Sequence, residues 1–123
     1  MKAILSNYHQ SPRKVRLVAD LIRGKSVVRA RAALRFLPKK STLAIVKLID
    51  SAVANARGTG TSEDRLFVRT ITVDKGAVMR RFRPMARGRA AGYDKTLSTI
   101  SLELGVAEQA KQKKTTELNK QEA

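Results

Sequence analysis

The stretch Lys75-Gly76-Ala77-Val78-Met79-Arg80-Arg81-Phe82-Arg83-Pro84-Met85-Ala86-Arg87-Gly88-Arg89-Ala90-Ala91-Gly92-Tyr93 carries five arginines and one lysine without a single acidic side chain. Strand-like residues flank it, Leu66 to Val73 before and Leu97 to Leu104 after. Pairing those flanks makes a β-hairpin over residues 66–104 and turns the cationic part into an arm about 30–45 Å long, at roughly 3.3 Å per residue. Matching the middle of one flank to the middle of the other places the turn near residue 85, within Pro84-Met85-Ala86-Arg87-Gly88, where proline and glycine suit a turn. An isolated two-stranded ribbon is marginal in water. This one needs a partner, and its charge makes that partner a polyanion.

Within the arm arginine outnumbers lysine five to one. The planar guanidinium fork suits phosphate contacts and base stacking better than it suits mere solubility. A ribbon selected only for solubility would also interleave acids. Phe82 and Tyr93 are open to two readings, stacking on bases or packing across the ribbon and against the core. Met79 and Met85 read as shape-filling contacts. Gly88 and Gly92 either allow close backbone approach to a partner or only permit the turn.

Upstream of the hairpin the apolar period changes to that of helices. Ser11-Pro12 supplies an N-cap and a first-turn proline. Val15, Val18, Ala19 and Ile22 follow at helical spacing, with Leu17 and Leu21 widening the stripe and Gly24 ending the helix. Arg13, Arg16 and Arg23 share the other side with Asp20. Ser26 caps a second helix that points Val27, Ala30, Ala33, Leu34 and Leu37 inward, leaves Arg31 and Arg35 on an exposed face, and stops at Pro38. After Lys39-Lys40, Ser41 is expected to cap a third helix to about Ala56. That helix is apolar over most of its circumference, which makes it the central one. A short alternation at Ala3 to Leu5 suggests an edge strand, and residues 58–64 read as a loop. From Ala107 the composition turns polar, so residues 107–123 read as a flexible tail. Residues 1–106 form a single domain on this reading. The fold class expected is α+β: three helices on a small antiparallel sheet, with a long basic hairpin protruding.

Composition excludes several functions. The chain has 26 basic and 10 acidic residues among 123, a formal charge of +16. Charge on that scale attracts nucleic acid or anionic lipid. No apolar run is long enough to span a bilayer, and the start Met1–Asn7 is too short for a signal-peptide apolar region. Cysteine is absent, which removes disulfides and thiol chemistry. His9 is the only histidine, so neither a histidine metal cluster nor a Ser-His-Asp triad with alternatives can be assembled. Glu63 and Asp64 are adjacent in a loop, where turn-making outweighs acid–base work. Gly24-Lys25-Ser26 resembles the end of a phosphate-binding loop, but Ala19 stands at the place of the first glycine and a helix precedes it. No enzyme, cofactor or metal site is expected.

Longer segments match a known family. Ser11-Pro12-Arg13-Lys14-Val15-Arg16-Leu17-Val18-Ala19-Asp20-Leu21-Ile22-Arg23-Gly24-Lys25 resembles, nearly position by position, the opening helix of the bacterial large-subunit ribosomal protein family numbered twenty-two. Ser51-Ala52-Val53-Ala54-Asn55-Ala56 is similar to the end of its third helix. Val73-Asp74-Lys75-Gly76, Met79-Arg80-Arg81 and Pro84-Met85-Ala86-Arg87-Gly88-Arg89-Ala90 resemble its extended hairpin. The likeness runs in order over about residues 3–104. It implies a cytoplasmic protein on the outer surface of the large ribosomal subunit, whose arm threads inward through the 23S ribosomal RNA to line the peptide exit tunnel near its constriction. It further implies help in subunit assembly by clamping several RNA segments, and an effect of arm changes on macrolide susceptibility.

The partners so implied are large-subunit ribosomal RNA, neighbouring ribosomal proteins and the nascent peptide, with no membrane and no homo-oligomer. The RNA-binding residues expected are Arg13, Lys14, Arg16, Arg23 and Lys25 on the first helix and its turn, and Lys75, Arg80, Arg81, Arg83, Arg87, Arg89 and Lys95 along the arm. The hairpin tip in the tunnel comprises Met79, Arg80, Arg81, Pro84, Met85, Ala86, Arg87, Gly88, Arg89 and Ala90. Two departures stand out. Met85 replaces a further arginine, and Thr96-Leu97-Ser98-Thr99 replaces a stretch commonly more basic. The competing reading is an architectural DNA-binding protein whose ribbon enters the minor groove and wedges Pro84 between bases. Helices joined by the Gly24 turn would also suit a helix-turn-helix, although the second helix lacks the Asn or Gln that adenine reading favours.

Overall fold

A computed structural model describes residues 1–107 of the chain. Strand β1 (Lys2–Tyr8) is followed by helices α1 (Pro12–Ile22), α2 (Val27–Arg35) and α3 (Lys40–Gly58), then a short 3-10 turn (Glu63–Arg65) and strands β2 (Leu66–Pro84) and β3 (Ala90–Val106). The strands form one antiparallel sheet in the order β1-β3-β2, with the expected edge strand at β1. Three helices on a small antiparallel sheet is the α+β architecture expected. Beyond Ala107, the tail lies outside the described residues.

The helices meet the sheet through the stripes their periodicity marks. Val15, Val18, Ala19 and Ile22 of α1 are buried, as are Val27, Ala30 and Leu34 of α2. Leu17 and Leu21 do not widen the α1 stripe; they are 68% and 37% exposed. At about 100° per residue they sit more than a quarter-turn off the centre of that stripe, on the side turned from the core. α3 buries seven residues, more than either other helix, and is the central one. Its start differs from expectation. Lys39 occupies the cap position, while Ser41 lies buried inside the first turn with no partner for its hydroxyl. The Thr42 hydroxyl instead donates to the Leu37 carbonyl at 3.2 Å, tying the helix start to the preceding turn. From the sheet, Ala3, Leu66, Val68, Ile71, Val73, Ile100, Leu102 and Leu104 complete the core.

Two irregularities in β2 aim the hairpin. An extra residue sits between Val68 and Thr70, and another between Lys75 and Val78, each opposite an unbroken β3. Such bulges bend a strand and increase its twist. They also consume residues on one strand only, shifting the centre of pairing from 86 at the base to Arg87 at the apex, against 85 expected and still inside the predicted turn. At the second bulge a Cβ on Gly76 would come within 3.2 Å of the Leu97 carbonyl oxygen, so the backbones approach closely where core gives way to arm.

The outer edge of β2 is covered rather than left open. The Gly24 N–H donates to the Val68 carbonyl at 3.1 Å, and the Val68 N–H donates to the Lys25 carbonyl at 2.9 Å. Further along, Arg23 donates to the Ile71 carbonyl at 3.2 Å, and Arg16 donates through Nε and NH2 to the Val73 carbonyl at 3.0 and 2.9 Å. An exposed strand edge invites pairing with other chains. Here the α1–α2 turn and two arginines occupy it, and the turn is therefore bound to the sheet, not presented as a helix-turn-helix.

Arg31 also departs from its expected exposed role. Its guanidinium donates to Asp50 at 2.6 Å and to Glu63, which in turn accepts from Arg57 at 3.0 Å. That network fastens the 3-10 turn before β2 onto α2 and α3. Near β1, burial raises the Tyr8 phenol above its ordinary pKa.

Candidate nucleic-acid interface

Past the second bulge the two strands leave the core. No residue from Asp74 to Thr96 is buried, and every residue from Arg81 to Ala90 is exposed. The ribbon is nevertheless fully paired, from Val78↔Thr96 to Pro84↔Ala90. At its apex the Met85 N–H donates to the Arg89 carbonyl at 2.7 Å. Arg87 and Gly88 take left-handed backbone angles there, with φ of 59° and 68°. Gly88 thus serves the turn.

Side chains alternate between the two faces of a strand, and directly paired residues share a face. On one face lie Met79, Arg81, Arg83, Ala91, Tyr93 and Lys95; on the other lie Val78, Arg80, Phe82, Pro84, Ala90, Gly92, Asp94 and Thr96. Three side-chain contacts follow this division. Arg81 reaches the Met79 sulfur at 3.8 Å, the Arg83 guanidinium lies 4.7 Å from the centre of the Tyr93 ring, and the Phe82 ring lies over Gly92. Both aromatic residues therefore pack across the ribbon in the free chain. Arg80 faces Asp94 with an N–O separation of 3.9 Å, so one arm arginine has an acid beside it.

The root of the arm adds a second group of cations. Lys14, Lys40 and Lys95 line a recess of about 460 Å³ together with His9, Gln10, Ser11 and Asp94. α1 begins at this recess, and the positive end of its dipole there favours anions. Lys40 and His9 were not among the predicted residues. Their part depends on β1, α3 and β3 converging, and no sequence spacing reports that.

The remaining predicted residues fall into distinct places. Arg13 is exposed at the start of α1, and Lys75 is exposed at the root bulge, while Lys25 is half-buried in the α1–α2 turn. Arg87 and Arg89 flank the apex, and neither is buried. Arg16 and Arg23 hold the β2 edge as described, and Arg23 also pairs with Asp20 at 3.0 Å. These two arginines have structural work that their sequence pattern does not reveal. What the surface can do chemically is bind anions along a path from the root recess to the apex.

Among proteins of known family, the model for "Ribosomal protein L22p/L17e" matches residues 3–105. The large ribosomal subunit protein uL22 of Citrifermentans bemidjiense is 52% identical over 103 residues, covering 83% of this chain and 93% of that protein. The protein of the same description from Syntrophotalea carbinolica is 47% identical over 104 residues, covering 84% and 94%. That from Herpetosiphon aurantiacus is 48% identical over 102 residues, covering 82% and 90%. The matched span takes in all three helices, the sheet and the whole basic arm, so the chain belongs to the L22p/L17e family of ribosomal proteins.

Proposed function

We propose that this protein is a structural constituent of the large ribosomal subunit, which binds 23S ribosomal RNA, clamps several RNA segments during assembly, and lines the peptide exit tunnel with its hairpin. Membership of a ribosomal-protein family supports the structural and RNA-binding part directly, and such a family is not a class of enzyme. The observation that carries the finer reading is the arm itself: a fully paired ribbon with no buried residue between Asp74 and Thr96 and with cations along its length. A ribbon of this kind gains its stability from what surrounds it. Folded RNA offers phosphates on walls that enclose such an arm, whereas duplex DNA would take it only into one open groove.

The mechanism needs no covalent step. Arginine and lysine neutralise phosphates and release counterions, and charges on both the arm and the root let one protein hold RNA elements that are distant in sequence. Neighbouring ribosomal proteins and the nascent peptide are the further partners of this reading. Two measurements test it. The protein should sediment with large ribosomal particles from the cell, and purified protein should bind folded large-subunit RNA more tightly than duplex DNA of equal length at physiological salt. Equal affinities with the same steep salt dependence would reduce the interaction to generic charge attraction.

A further inference from the structure

The geometry points to a one-sided grip: the arm contacts RNA phosphates through the face carrying Arg81, Arg83, Lys95 and Tyr93, and turns its other face away from them. This inference rests on the RNA-binding reading above and assigns the contact to particular residues. The two faces differ in charge although they belong to the same acid-free-looking segment. Arg81, Arg83 and Lys95 stand on one face with no acid among them. Arg80 is the only cation between Val78 and Pro84 on the other, and Asp94 is its direct cross-strand partner. One face thus carries three cations, of which only Lys95, at the root, shares a recess with Asp94, and the other is formally neutral.

The cationic face is also the better ordered for recognition. Arg83 lies against the Tyr93 ring, an arrangement that holds a guanidinium flat by cation–π attraction. Arg81 is steadied by bonds to the Arg80 carbonyl at 2.9 Å and the Met79 sulfur. The backbones of two strand residues two apart lie about 6.5–7 Å apart along the ribbon, so Arg81 and Arg83 can engage one RNA backbone segment together. On the opposite face Val78, Phe82 and Pro84 present apolar surface, with Phe82 72% exposed over Gly92. Phosphate contact there would place an anion beside the Asp94 carboxylate.

Neighbouring positions provide a matched test. Arg80→Gln and Arg81→Gln remove the same charge from adjacent, exposed residues on opposite faces. Full-length variants would be titrated with protein-free large-subunit ribosomal RNA folded in magnesium, over a range of monovalent salt. Each lost phosphate contact lowers the slope of log affinity against log salt by about 0.7–0.9. Arg81→Gln should show one such step. Arg81→Gln with Arg83→Gln should show two, with affinity down roughly ten- to thirtyfold near 0.15 M salt from counterion release alone. Arg80→Gln should leave the slope unchanged. Equal slope losses for Arg80→Gln and Arg81→Gln would show a ribbon gripped on both faces and overturn the one-sided assignment while leaving RNA binding intact. Unchanged slopes in every arm variant would overturn this inference together with the arm's role in RNA binding.

Discussion

Deleting Met79, Arg80 and Arg81 tests whether the arm's register matters more than its individual charges. Strand side chains alternate with a period of two, so removing an odd number of residues inverts the faces of everything beyond the cut. With Val78 held opposite Thr96, Phe82 moves to the place opposite Lys95, and Arg83 moves opposite Asp94. β2 loses about 10 Å at roughly 3.3 Å per residue, while β3 keeps its length. The apex is pulled back on one side and three residues of β3 lose their partners. A paired excision of Val78, Met79, Lys95 and Thr96 makes the contrast. It shortens the arm by about 7 Å yet preserves every remaining pair and face. Ribosomes carrying each variant would be checked for incorporation by mass spectrometry, then assayed by toeprinting of stalling peptides and by macrolide response. The three-residue deletion should incorporate and change both readouts, and its free protein should lose RNA affinity more than the paired excision does. Arg80→Ala alone should do less than either, because that arginine already sits beside an acid. Normal stalling and drug response in deletion ribosomes that demonstrably contain the protein would remove the arm from the tunnel.

Other consequences concern the core, the ion pairs and the faces. Replacing residues 76–97 by an Asn-Gly turn between Lys75 and Ser98 should leave a cooperatively folded protein by circular dichroism, because Leu97 is the only buried residue removed and lies outside the core cluster; loss of the thermal transition would mean the arm supports the core. Ile49→Ala, at a fully buried position of α3, should cost on the order of 2–5 kcal/mol in denaturant unfolding. Leu43→Ala on the same helix, 66% exposed, should cost under about 0.5 kcal/mol, and equal costs would contradict the packing described. Arg31→Ala should destabilise by on the order of 1 kcal/mol, less in high salt, since its partners are partly solvated and Glu63 keeps Arg57; no loss at low salt would show that the network is not stabilising. Because the chain has no cysteine, Ala90→Cys and Ala91→Cys report on opposite faces through one thiol each. In assembled subunits maleimide should still reach residue 90 and not residue 91, and the reverse order would place the RNA on the other side.

Sequence alone determined the elements, the fold class and the sign of the partner. Val15, Val18, Ala19 and Ile22 repeat with the helical period, Pro12 and Gly24 bound that helix, and the strand-like flanks of an acid-free arm leave few alternatives to a hairpin. These are local signals, carried by residues within one or two turns of each other. Membership in the family was legible for the same reason, since it rests on contiguous runs of residues. Tertiary structure decided what depends on partners far along the chain. The base register centres on residue 86 and two bulges in β2 shift the apex on to Arg87, and a bulge forms where two strands disagree in length, which neither strand states by itself. Arg16 and Arg23 look like free cations on a helix face, and only the approach of β2 gives them the carbonyls of Val73 and Ile71. The division of the arm into a cationic and a neutral face depends on register, because Asp94 lies beside Arg80 only after the chain has turned at Arg87. Charge can be counted along a sequence, but which charges share a surface is settled by the pairing of strands.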